Sequence, residues 1–158
     1  MVTTRWGKPP RRPRPCEHEA MDDAMQTMFD AAIAAQSNAH CPYSNYPVGA
    51  AVRTASGAVF AGCNVENAAY PNGTCAEAGA IAAMVLAGER DIVEVVTVTG
   101  GDVPGTPCGG CRQRIREFAR PDAVIVATTT DGGLDPKASL RTIMCDLLPD
   151  SFGPERLV

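Results

Sequence analysis

From residue 48 onward, short β-branched runs alternate with helix-patterned stretches, and this alternation restricts the chain more than any other feature. A strand must bury a face and a helix a stripe, so alternating elements settle into an α/β sandwich with helices on the sheet faces. Val48 to Thr54 and Val59 to Asn64 read as two strands joined through Ala55-Ser56-Gly57, a hairpin. Ile92 to Thr99 and Val124 to Thr128 are further strands, and Ser139 to Arg141 is a short fifth after the Asp131-Gly132-Gly133 turn. A helix is predicted over Cys75 to Ala87, capped by Thr74 and stopped by Gly88. Another runs from Gly109 to Ala119 and is ended by Pro121, and Thr142 to Leu148 forms a last short one. Ahead of the strands, Met25, Met28, Phe29, Ala32 and Ile33 recur at helical spacing between Asp22, the expected cap, and His40.

With 158 residues, 45% of them hydrophobic, the chain can build one core and little more. We expect a single domain over residues 21–158. Residues 1–20 read as a basic, proline-rich, disordered tail, and Met21 is a plausible start of translation. No apolar run reaches the roughly 18 residues that span a bilayer, and no export signal follows the basic start, so the expected location is cytoplasmic. The net charge is −4, but Arg5, Lys8, Arg11, Arg12 and Arg14 stand in the tail against Glu17 and Glu19. Without that segment the body holds 9 basic and 16 acidic residues, a net −7. Polynucleotide binding draws most of its affinity from basic groups on phosphates, so no nucleic-acid partner is expected.

Seven cysteines in such a chain point to reduced thiols and to metal binding or catalysis. Cys75 in Thr74-Cys75-Ala76-Glu77, and Cys108 and Cys111 in Pro107-Cys108-Gly109-Gly110-Cys111, each fall in the first turn of an expected helix. Free N–H groups and the helix dipole stabilise thiolates there. Two such helix starts facing one another bring three sulfurs to a point. Zinc in a structural site takes four protein ligands, whereas three leave a position for water. Glu77 is near enough to share that water without being a ligand. Read singly, the motifs are weaker: a Cys-x-x-Cys is also a redox pair or half a structural site, with Cys63 an available fourth ligand. The glutamate taken alone is an ordinary surface charge.

Together with other segments these motifs carry a resemblance. Cys41-Pro42-Tyr43-Ser44-Asn45-Tyr46-Pro47-Val48-Gly49-Ala50-Ala51 comes first, then Gly62-Cys63-Asn64-Val65-Glu66-Asn67-Ala68-Ala69-Tyr70. Cys75-Ala76-Glu77, Pro107 to Gln113, Leu147-Leu148-Pro149 and Phe152-Gly153 follow in order. Over most of residues 22–154 the chain resembles the homotetrameric cytidine deaminases, zinc enzymes with three cysteine ligands. Relatives acting on tRNA, deoxycytidylate or guanine usually have histidine as the first ligand.

The resemblance implies a three-layer α/β/α sandwich around a mixed five-stranded sheet. It implies hydrolytic deamination of cytidine and deoxycytidine, with one Zn²⁺ per subunit on Cys75, Cys108 and Cys111, and with Glu77 moving the protons. The partners are then a free pyrimidine nucleoside and three further copies of the chain, with no membrane. Asn64 and Glu66 match a pair that holds the ribose 3′-hydroxyl, Tyr46 an aromatic packed on the pyrimidine, and Ala76 a backbone contact to the base. Phe152 matches an aromatic that caps a neighbouring subunit's site. Where many tetrameric members carry arginine after Cys-Ala-Glu, this chain has Ala78. Arg112 and the helix N-termini then supply the positive charge facing three thiolates. The alternatives are deamination of another cytosine nucleoside, such as blasticidin S, and a structural zinc protein without catalysis.

Overall fold

The computed structural model describes residues 18–157. Elements follow one another as α1 (His18–Gln36), β1 (Val48–Thr54), β2 (Val59–Cys63), α2 (Ala76–Leu86) and β3 (Ile92–Thr99). Next come α3 (Gly109–Phe118), β4 (Ala119–Thr129), β5 (Leu140–Ile143) and α4 (Met144–Leu147). The five strands form one sheet in the order β2-β1-β3-β4-β5. β1 pairs antiparallel with both β2 and β3, β3 with β4 is parallel, and β4 with β5 is antiparallel. The expected mixed sheet is present.

Alternation along the strands assigns each side chain to a face, and the two faces are covered by different helices. Ala51, Val96, Val98 and Val126 pack under α1 with Met25, Met28 and Ala32. Their neighbours Val52, Val95 and Ile125 point the other way, against Ala80, Ile81 and Met84 of α2, Ile115 of α3 and Met144 of α4. Each of the larger buried side chains contributes about 1.5–3 kcal/mol by leaving water. Two glycines let the helices approach. A Cβ on Gly49 would stand 1.9 Å from the Ala32 carbonyl oxygen of α1, and one on Gly62 2.4 Å from the Ala80 nitrogen of α2. Among the described residues no helix is long and apolar enough to cross a membrane.

Several boundaries differ from the sequence reading, each for a local reason. Of the expected tail, residues 1–17 lie outside the described range, and His18 to Ala20 open α1. Asp22 therefore sits within the helix and does not cap it. α1 stops at Gln36, before His40, because His40 is already bridged to Val65 and its carbonyl accepts the Glu66 N–H. Thr74 is not a cap either. It is held extended by paired backbone hydrogen bonds to Val65, so Cys75 becomes the N-cap. α3 ends at Phe118 without help from Pro121. Ala119 is buried and paired to Ile92, and Pro121, lacking an N–H, lies in β4 where the register slips before Val124 meets Glu94. β5 and α4 each begin a residue or two later than expected, at Leu140 and Met144.

Candidate active site

α2 follows β2 and α3 follows β3, the strands on either side of β1, and both helices lie on the same face of the sheet. Cys75 caps α2 with φ −78° and ψ 156°, and Cys108 caps α3 with φ −65° and ψ 166°. The Cys75 side chain makes no capping bond to its own helix, and its sulfur faces that of Cys108. Cys111, buried in the first turn of α3, completes a group whose three Sγ atoms lie within 4.8 Å of one another. The Cys75 and Cys108 sulfurs are 3.9 Å apart. A tetrahedral Zn–S bond of about 2.3 Å requires sulfurs about 3.8 Å apart, so the donor set fits zinc. Cys63 stands outside the group, its thiol turned to the Asn38 carbonyl, so the four-cysteine alternative has no fourth ligand there.

The thiols also differ in how readily they ionise. The Cys111 N–H bonded to Cys108 favours that thiolate and lowers its pKa, as a helix start should. Cys75 is pushed up, chiefly by burial. Cys111 is pushed up strongly by burial and then by the charge of Glu77. Glu77 is only 5% exposed, and its Oε2 accepts the Cys111 thiol at 3.2 Å. A buried carboxylate against three sulfurs is an arrangement that a divalent cation neutralises.

The cluster opens on a cavity of about 460 Å³, within the range of about 300–1,000 Å³ usual for small-molecule sites. Tyr46, Asn64, Glu66, Cys75, Ala76, Glu77 and Cys108 all line it. Asn64 Oδ1 accepts the Val48 N–H at 2.8 Å, and its Nδ2 donates to the Tyr46 carbonyl at 3.0 Å. Glu66 Oε2 accepts the N–H groups of Tyr43 and Ser44 at 2.9 and 3.2 Å. Its pKa is lowered, first by the Ser44 hydroxyl and then by the Tyr43 N–H. Both polar residues thus hold the 43–48 loop against the cavity. Tyr46 is half-exposed in the wall.

Neither Phe152 nor Arg112 lines this cavity. Phe152 is 59% exposed and is absent from the lining of this cavity. Its carbonyl accepts Gln113 Nε2 at 2.9 Å. Arg112 donates to the Pro107 carbonyl at 2.8 Å, the Leu147 carbonyl at 3.2 Å and Thr106 Oγ1 at 3.3 Å, and so braces the loop that carries Cys108. The lining also includes Tyr70, Thr99, Gly105 and Thr106, which the sequence reading did not single out. Tyr70 lies in a quoted segment and stacks edge-on to Tyr43 at 5.8 Å, so an aromatic in a matched motif was a usable signal. Nothing local marked the other three.

A metal centre that stops at three protein ligands, with a buried carboxylate beside it and a cavity in front, is built to activate water; that places the chain among the zinc hydrolases. Comparison with known proteins narrows the class. The sequence model of the cytidine and deoxycytidylate deaminase zinc-binding region matches residues 22–128, and the chain belongs to that family. It is 37% identical over 123 residues to a cytidine deaminase of Sporosarcina psychrophila, covering 78% of this chain and 87% of that one. A cytidine deaminase of Mycobacterium tuberculosis is 35% identical over 126 residues, covering 80% and 87%. The crystal structure of cytidine deaminase from Burkholderia pseudomallei superposes with a TM-score of 0.72 at 40% identity, covering 80% of this chain and 97% of that one.

Proposed function

We propose that the protein hydrolyses cytidine and deoxycytidine to uridine and deoxyuridine, releasing ammonia, as a step of pyrimidine salvage. The observation that carries this reading is Glu77, buried and 3.2 Å from a sulfur of a three-ligand zinc site that faces the cavity. Cys75, Cys108 and Cys111 would hold the zinc, which would supply a Lewis acid able to make water acidic enough to attack near neutral pH. Glu77 takes the proton lost by the attacking water and delivers it to N3 of the base. At the tetrahedral C4 the same carboxylate then takes the remaining proton of the added hydroxyl and passes it to the amino group, so that C4=O forms as the C4–N bond breaks and ammonia leaves. Asn64 retains a second amide hydrogen for a sugar hydroxyl, with Glu66 alongside. Tyr46 packs against the ring, and the backbone of Ala76 meets the base. Arg112 and the two helix N-termini supply positive charge facing the thiolates, and the Arg112 guanidinium also holds Pro107 and hence Cys108 in place.

The assembly belongs to the same reading: a homotetramer with shared sites, working in the cytoplasm on the free nucleoside and on no polynucleotide. α2 is apolar all round apart from the buried Glu77, yet Ala82 and Leu86 are exposed on it, which suits a helix covered by another copy. Phe152, exposed and away from its own cavity, is free to cap a neighbour's. The thiols of the described cysteines are all free, as a reducing compartment keeps them.

Parallel turnover of cytidine, deoxycytidine, deoxycytidylate and blasticidin S tests the substrate. The nucleosides are expected to turn over, and exclusive turnover of either other compound overturns the assignment. Mixing inactive Glu77→Gln with inactive Phe152→Ala tests sharing. Verified mixed oligomers should recover activity, and no recovery means that each subunit builds its site alone.

A further inference from the structure

The inner face of β3 carries two buried threonines, Thr97 and Thr99, where the rest of that strand's packed face is valine and isoleucine. Burying a hydroxyl is costly unless it is bonded, and both are bonded to one residue of the loop beyond. Thr97 Oγ1 donates to the Gly105 carbonyl at 3.1 Å, and Thr99 Oγ1 accepts the Gly105 N–H at 3.0 Å. Both backbone groups of Gly105 are thereby pinned to the sheet. Gly105 lines the nucleoside cavity, and so does Thr106 after it; buried Pro107 and the ligand Cys108 follow directly. Gly105 is also wedged. A Cβ there would stand 2.6 Å from Thr99 Cγ2, 3.1 Å from the Tyr46 hydroxyl and 3.3 Å from Thr99 Oγ1.

We propose that Thr97 and Thr99 form a clasp on Gly105 that sets the stretch of cavity wall beside Tyr46, and with it the fit of the substrate. They are positioning residues. They act through Gly105 and Thr106, while Arg112 holds the other end of the same loop through Pro107. The clasp governs binding more than proton transfer, because Glu77 is carried by α2 and not by this loop. The proposal rests on the cavity taking a cytosine nucleoside.

The test is steady-state kinetics on cytidine with zinc content and thermal midpoint measured on each full-length variant. Thr99→Val keeps the shape and loses the hydroxyl; KM should rise at least about fivefold with kcat within about twofold and zinc retained. Thr99→Ser, which keeps the hydroxyl, should return KM to within about twofold of wild type. Gly105→Ala should reproduce the KM defect through the collision with Thr99 Cγ2. The Thr99→Ser/Gly105→Ala double variant removes that methyl and should regain most of the loss, which also serves if Thr99→Val folds poorly. An unchanged KM in Thr99→Val, or a double variant no better than Gly105→Ala alone, overturns the clasp while the deaminase reading stands. A zinc-loaded wild type inert towards cytidine overturns both.

Discussion

Gly62→Ala adds one methyl group where β2 meets α2, and the structure gives the size of the disturbance. The new Cβ would lie 2.4 Å from the Ala80 nitrogen, 2.6 Å from the Ala76 carbonyl oxygen and 2.7 Å from the Gly79 carbonyl carbon, all of them backbone. Ordinary contact begins at 3.4 Å, so no rotamer change relieves the overlap and α2 must withdraw by about 1 Å. Overpacking of this kind costs about 1–3 kcal/mol, or about 2–12 °C in thermal midpoint for a domain of this size. The larger effect is catalytic. The helix that withdraws bears Cys75 and Glu77 at its start, and a misplacement of about 1 Å costs on the order of 10²-fold in rate. Gly57→Ala is the control. Gly57 has φ +90° with open space around it, so alanine pays about 1–2 kcal/mol of backbone strain far from the metal. The two variants should show similar melting shifts in scanning calorimetry but sharply different kcat/KM for cytidine. If Gly62→Ala keeps kcat/KM within about threefold of wild type, or Gly57→Ala loses as much as it does, the reasoning fails.

Glu77→Gln should keep the fold and the zinc while activity falls by about 10²–10⁴-fold or more, since one carboxyl serves two proton transfers. Residual activity within about tenfold would assign the protons to another group. Metal analysis should find Cys63→Ser fully loaded and Cys108→Ser depleted; an empty site in Cys63→Ser restores the four-cysteine reading. Glu155 has its pKa lowered, first by its own N–H and then by the Arg116 guanidinium 2.6 Å away. A carboxylate with a depressed folded pKa stabilises above its unfolded value of about 4.3 and loses that contribution as pH falls through the folded pKa. The melting gap between wild type and Glu155→Gln should therefore be constant above about pH 5 and shrink as pH falls below about 4.3, and a gap that stays constant there refutes the link.

The metal site was legible because its chemistry is local. A cysteine at a helix start is visible in a few residues, and Glu77 is fixed two positions on by the same helix. β3 and the later half of β4 were legible for a similar reason, being dense in β-branched residues. What escaped was set by distant partners. Thr74 looked like a cap until Val65 claimed its backbone, and Pro121 looked like the stop of a helix that pairing between Ala119 and Ile92 had already ended. Thr99 read as the end of a strand. Its meaning depends on Gly105, whose position only the folded loop supplies. Tyr70 joins the cavity because the short turn at Tyr70–Asn72 folds back over it.

The C-terminal segment is lashed to α3 at successive points: Gln113 to the Phe152 carbonyl, Arg116 to Ser151 and Glu155, and Arg112 to the Leu147 carbonyl. α3 is also the helix that begins with two of the three sulfurs. The last turn of chain is thus a splint on the metal-bearing helix. A cut made just after Asp150 removes the ties of Ser151, Phe152 and Glu155 to the helix that presents Cys108 and Cys111.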